Sequence, residues 1–103
     1  MEKMNKAKQI ADHYGLASRM AIAQEECAEL IQAISKVRRA EMAGDYGVNY
    51  VVARTNLSEK MADVANLLMQ LTHLLNNKPM VEFWLEQKLD RTLWDIRKEE
   101  AGA

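Results

Sequence analysis

Apolar residues recur along much of the chain at alternating steps of three and four, which is the spacing of one face of an α-helix. One such series spans residues 19–43 and stops at Gly44: Met20, Ala23, Cys27, Leu30, Ile34 and Val37. A second series spans residues 57–75: Leu57, Met61, Val64, Leu68, Leu71 and Leu75. The pattern therefore predicts two long amphipathic helices.

Two further helices flank this pair. Residues 1–14 carry a weaker apolar stripe that ends at Gly15. Pro79 suits the first turn of a helix, and an apolar stripe follows it: Val81, Leu85, Leu89, Leu93 and Ile96. We expect residues 99–103 to fray at the end of this helix.

Helical periodicity fails in residues 44–56, where two glycines, Asp45 and a β-branched run predict a long loop. The segment 48–52 fits either a short strand or an extra turn. Asn56 is then a suitable N-cap for the third helix, and Glu59, three residues later, a suitable capping-box partner.

These elements predict an all-α fold, a four-helix bundle formed by one domain over residues 1–103. The second, third and fourth helices have broad apolar faces, so we expect them to pack side by side. Further apolar residues lie outside the stripes: Met42, Met69, Phe83, Trp84 and Trp94. The sequence therefore predicts a bundle completed by self-association, as a homodimer or a tetramer.

Charge and cysteine content restrict the partners. With 14 basic and 15 acidic residues, the chain has no field that would attract a nucleic-acid polymer or an anionic membrane. No apolar run approaches the length of a membrane span, and residues 1–9 lack an apolar signal-peptide core. The single cysteine, Cys27, lies in an apolar stripe, so we expect it to be buried and inert. These features favour a reducing cytoplasm.

The chemically suggestive feature is a set of carboxylates beside the apolar stripes. Glu26 and Glu29 are three residues apart on the second predicted helix, and Glu59 and Asp63 are four apart on the third. These spacings place each pair on neighbouring positions of one helix face. Carboxylate oxygens on rigid helices suit Mg²⁺ or Mn²⁺, whereas the commoner explanation of such a pair is a solvated face.

The residues around these carboxylates resemble the MazG-like all-α nucleotide pyrophosphohydrolases, in particular the small phage and Firmicute type. The resemblance covers roughly residues 14–96 and rests on three segments: EECAELIQAISK (25–36), EKMADV (59–64) and EQKLDR (86–91). It implies a Mg²⁺-dependent hydrolase that splits nucleoside triphosphates into nucleoside monophosphate and pyrophosphate.

Residue by residue, the resemblance implies metal ligation by Glu26, Glu29 and Asp63. It implies that Glu25 or Glu29 activates the attacking water. Lys88 and Arg91 match a basic pair that the resemblance suggests contacts the triphosphate, although on composition alone they fit a solvated face. Asn66 lies on the same side of its helix as Asp63 and is a further candidate for ligand binding.

One position departs from the family pattern, because Lys60 stands where a fourth ligand, a glutamate, is expected. An ammonium at a metal site lowers metal affinity. Glu59 could replace the missing ligand, although on an ideal helix it points about 100° away from position 60. Lys60 itself could bind phosphate or pair with Glu26 or Glu29. The sequence therefore allows either an active pyrophosphohydrolase or a catalytically degenerate helical protein that binds nucleotides or partners.

Overall fold

The computed structural model of the chain describes residues 2–102. This range holds four α-helices and no strand: α1 Lys3–Tyr14, α2 Leu16–Met42, α3 Val48–Leu75 and α4 Lys78–Gly102. The predicted all-α fold with four helices is confirmed. Within this range no helix combines the length and the apolar character that a membrane crossing requires.

Helices α2 and α3 form a long antiparallel hairpin. The Tyr50 hydroxyl donates to Glu41 Oε1 at 3.1 Å, and Lys60 Nζ donates to Glu29 Oε2 at 3.0 Å. Residue numbers therefore rise along α3 as they fall along the facing side of α2. Helix α1 packs mainly against α3. The two hydrogen bonds between α2 and α3 help to fix the relative position of these helices, and the candidate site depends on that position.

The predicted loop over residues 44–56 is wrong from Val48 onward, because α3 begins there. The Asp45 carboxylate accepts hydrogen bonds from the Gly47 N–H at 3.2 Å and from Asn49 Nδ2 at 3.4 Å. These bonds hold the chain where the helix starts. Asn56 consequently lies inside α3, so the predicted N-cap with its Glu59 partner is also wrong.

Helix α4 projects from the other three. It contacts α3 but neither α1 nor α2. Every α4 side chain except Val81 is exposed. The helix runs to Gly102, so the prediction of a frayed end is wrong for residues 99–102, while residue 103 lies outside the described range.

The interior of a single chain is small. Within residues 2–102 the buried residues are Ala7, Ala11, Ala33, Leu67 and Gln70. Gln70 is 1% exposed and donates through Nε2 to Asn66 Oδ1 at 2.9 Å. Cys27 is exposed, so the prediction that it is buried is wrong for the single chain. Leu67 is thus the one large apolar residue among the buried residues of the described range, and the others are alanines and a glutamine.

The turn between α3 and α4 is a hydrogen-bonded C-terminal cap. Asn76 adopts the left-handed conformation with φ 48°. Its N–H donates to His73 O at 3.2 Å, and the Asn77 N–H donates to Thr72 O at 3.3 Å. This pair of bonds defines a Schellman motif. The motif sets the direction in which α4 leaves α3.

We expect Asn76→Ala to lower the free energy of unfolding by about 1 kcal/mol, because a left-handed backbone strains a residue with a Cβ other than asparagine or aspartate. Asn76→Gly should retain the native stability, since glycine adopts this conformation without strain. Urea denaturation of both variants at one protein concentration measures the difference. Equal losses in the two variants would show that the asparagine side chain, and not the backbone conformation, stabilises the turn.

Candidate metal and phosphate site

Three carboxylates meet where α2 faces α3. Glu26 and Glu29 lie on one face of α2, and the antiparallel packing places Asp63 of α3 beside them. One oxygen from each residue lies within 4.8 Å of the other two. The three-residue spacing predicted that the two glutamates share a face, and the helix pairing adds the aspartate.

Lys60 joins this cluster from α3. Its Nζ lies 3.0 Å from Glu29 Oε2 and 3.6 Å from Asp63 Oδ2. The ammonium offsets part of the negative charge that three neighbouring carboxylates would otherwise accumulate. Of the alternatives that the sequence allowed for Lys60, the structure contains the ion pair with Glu29.

The two glutamates are held in different electrostatic environments. The hydrogen bond from Lys60 lowers the pKa of Glu29 from its ordinary value. Desolvation raises the pKa of Glu26, and the charges of Glu29 and Asp63 raise it further. Hydrogen bonding to Glu29 also raises the pKa of Lys60. Lys60 therefore stabilises the ionised form of Glu29, while the ionised form of Glu26 is disfavoured.

The donor set fits a hard divalent cation. It offers three carboxylates and no sulfur or imidazole, which suits Mg²⁺ or Mn²⁺. Glu26 Oε2 is buried and has no hydrogen-bond partner among the described residues. A cation would satisfy that oxygen and relieve the repulsion that raises the pKa of Glu26. It would compete with the Lys60 ammonium for Glu29 and Asp63.

The other predicted site residues lie outside this cluster. Glu25 and Glu59 are exposed on α2 and α3 and contribute no oxygen to it. The Asn66 side chain accepts the hydrogen bond from buried Gln70. Lys88 and Arg91 lie on the exposed helix α4, and no ion pair among the described residues joins them to the carboxylates. A single chain therefore assembles the predicted metal ligands but not the late basic pair.

A cleft of about 390 Å³ between α2 and α3 was not predicted from the sequence. Lys36 and Arg39 line it from α2, and Asn49 and Asn56 line it from α3. Lys36 lies seven residues after Glu29, roughly 10 Å along the helix. Because both asparagines fell in the predicted loop, the sequence pattern gave no sign that they face the two basic residues.

No protein-family model, curated protein or solved structure matches the chain.

Proposed function

We propose that the protein is a metal-dependent nucleoside triphosphate pyrophosphohydrolase of the MazG-like type. The observation that carries the proposal is the meeting of Glu26, Glu29 and Asp63, contributed by two helices, within 4.8 Å. These are the three ligands that the resemblance implies. Their convergence supports the proposal independently, because the resemblance rests on the order of residues in the sequence, whereas the 4.8 Å distance comes from the packing of two helices.

In the proposed reaction, water attacks the α-phosphorus and the bond between the α-phosphorus and the α–β bridging oxygen breaks. Pyrophosphate leaves with that oxygen, and the water oxygen stays on the nucleoside monophosphate. Glu26, Glu29 and Asp63 would hold Mg²⁺ or Mn²⁺, which supplies Lewis-acid polarisation of phosphate oxygens and acidifies bound water. A carboxylate accepts the proton of the attacking water. Glu29 is within the cluster and Glu25 is next to it, so both remain candidates for this base.

Cations of the chain would neutralise the charge of the triphosphate. Lys60 already lies among the carboxylates, and Lys36 and Arg39 line the neighbouring cleft on the same pair of helices. Lys88 and Arg91 of α4 would contribute if another copy presented them to the cluster. Asn66 would have to exchange its hydrogen bond with Gln70 for one with the nucleotide.

A second function is favoured by the position of Lys60. Its ion pair with Glu29 places a positive charge where a metal ion would bind. A chain in which Lys60 permanently replaces the metal would bind a nucleotide, or a partner protein, without hydrolysing it. This catalytically degenerate form of the fold is our alternative proposal.

The remaining partners and the compartment follow from composition. We infer a cytoplasmic protein, because one cysteine cannot form an intrachain disulfide and a free thiol persists under reducing conditions. A net charge of −1 gives no general attraction to nucleic-acid polymers. The proposed small-molecule partner is a nucleoside triphosphate.

The decisive experiment measures pyrophosphate release from a panel of canonical and modified nucleoside triphosphates with Mg²⁺, with Mn²⁺ and with a chelator. We expect release from at least one substrate that requires the metal and stops with the chelator. Absence of release from every substrate, in a protein with full helical content, would contradict the enzyme. Nucleotide binding measured calorimetrically in the same samples would then support the degenerate alternative.

A further inference from the structure

A single chain exposes far more surface than a compact protein of its size. Its accessible area is 8086 Å², whereas a folded monomer of 11.8 kDa exposes about 5,900 Å². Its radius of gyration is 17.6 Å, against about 13 Å for a compact domain of this length. The difference, roughly 2,200 Å², is surface that a compact monomer would bury and that this single chain leaves exposed.

Much of this surface is apolar and lies in two places. The first is a groove on α2 and α3 of about 690 Å³, lined by Met20, Cys27, Ile31, Leu68 and Leu71 among others. We refer to it as the α2–α3 groove. The second is the apolar stripe of α4, where Leu85, Leu89, Leu93 and Ile96 are between 42% and 65% exposed.

The chain does not cover its own groove. Helix α4 contacts neither α1 nor α2. The Schellman turn at Asn76 and Asn77 holds the direction in which α4 leaves α3. The connection between the two helices is only two residues long, so little chain is free to change that direction.

We propose that a second copy of this chain covers the groove, with α4 of each copy lying in the α2–α3 groove of the other. Each chain carries one groove and one projecting helix, so a two-fold exchange satisfies both surfaces at once and closes the assembly. A partner that filled only the groove would leave the stripe of α4 in water. This proposal does not depend on the proposed enzymatic function.

The available area agrees with this occupant. Two copies that each cover their excess of roughly 2,200 Å² would bury about 4,400 Å² in total, within the 2,000–5,000 Å² of obligate homodimers. The small aliphatic interior of one chain fits the same conclusion, because Ala7, Ala11, Ala33 and Leu67 are its only buried hydrophobic residues in the described range. Exchange of α4 would supply the missing core.

Cys27 reports directly on the groove. It is the single cysteine, it lines the groove, and it is exposed in one chain. The first measurement combines light-scattering mass with the rate at which a thiol reagent modifies Cys27, and the urea-unfolded chain serves as the fully reactive reference. We expect twice the 11.8 kDa chain mass, or an even multiple, together with a thiol that reacts far more slowly than the reference.

Each of the other outcomes overturns the proposal. A monomer with a protected thiol would mean that α4 folds back on its own chain. A monomer with a reactive thiol would leave the groove open, and a dimer with a reactive thiol would place the interface elsewhere. Because these results come from the unaltered protein, they do not require any variant to fold.

A matched pair of substitutions on α2 then locates the interface. Ile31 is 66% exposed in one chain and lines the groove, whereas Met42 is 81% exposed and lies outside it. We expect Ile31→Lys to shift the protein toward monomer and to expose Cys27, and Met42→Lys to change neither property. If both variants keep the native mass and thiol protection, the groove is not the interface.

Discussion

Replacing Glu29 with glutamine should reduce metal-dependent pyrophosphate release by about 100-fold or more, as expected for loss of a catalytic carboxylate. Glu29 takes part in both interactions that define the site. It contributes an oxygen to the three-carboxylate cluster, and it accepts the 3.0 Å hydrogen bond from Lys60. Glutamine keeps the size of the side chain and removes its charge, so metal binding and base function are lost together.

Two further glutamate-to-glutamine substitutions on α2 serve as a control and as a test of the candidate bases. Glu41→Gln removes a charge from the same helix but keeps a side-chain oxygen that can accept the hydrogen bond from Tyr50, so it serves as the control and should leave the rate unchanged. Glu25→Gln distinguishes the two candidate bases. If Glu25 is the base, its variant loses turnover while its half-saturating metal concentration stays native. An unchanged rate in Glu29→Gln would contradict the proposed site, and the binding of metal to each variant can be measured calorimetrically.

The helices could be predicted because their apolar residues follow helical spacing, but the start of α3 could not. The side of α3 that faces α2 is formed partly by small or polar residues, among them Ala53, Asn56, Lys60 and Asp63, none of which is fully exposed. A search for apolar periodicity does not detect such a face. Packing against α2 and the Asp45 hydrogen bonds extend the helix into a segment whose composition suggested a loop.

Burial was harder to predict than helix position. Met61, Leu68 and Leu75 belong to the apolar stripe predicted on α3, yet in a single chain they are 57%, 53% and 48% exposed. The sequence pattern records every apolar position, whether the chain's own helices or another copy cover it. Leu68 lines the α2–α3 groove, so the proposed exchange of α4 would cover it and account for its exposure in a single chain.

The candidate site was predictable only in part for a similar reason. Helical spacing places Glu26 and Glu29 on one face, but it cannot say which α3 residue lies opposite. The contact between Lys60 and Glu29 joins residues 31 positions apart. That contact depends on the register of the hairpin, which no local pattern contains. It also makes Lys60 the residue that most clearly separates our two proposed functions.

Replacing Lys60 with methionine should therefore strengthen metal binding. The substitution keeps most of the length of the side chain and removes the ammonium that lies 3.0 Å from Glu29 and 3.6 Å from Asp63. A unit charge within 4–6 Å typically shifts the affinity of a neighbouring site for a proton by about tenfold or more, and we expect a similar gain for Mg²⁺. Calorimetric titration with Mg²⁺ measures it, with Lys6→Met on α1 as the control.

The same substitution should change how stability depends on pH in the absence of metal. In the native chain Lys60 lowers the pKa of Glu29, so Glu29 stabilises the fold above its ordinary pKa of 4.5 and loses that effect as the pH falls. Without Lys60, Glu29 faces the charges of Glu26 and Asp63 alone, so the variant should lose stability as the pH rises through the carboxylate range. The deficit of Lys60→Met should thus be large at neutral pH, and it should shrink as the pH falls below 4.5 and through the lowered pKa of Glu29.

Urea denaturation of both chains across this pH range, in chelator and at one protein concentration, measures the deficit. The Lys60→Glu variant places a carboxylate at position 60, where the family pattern has a glutamate. Its turnover then separates the two functions. A large gain in metal-dependent pyrophosphate release would mean that Lys60 suppresses a site otherwise built for hydrolysis. A loss would mean that the ammonium acts on the triphosphate. A deficit independent of pH in Lys60→Met would contradict the electrostatic role of the ion pair on which both interpretations depend.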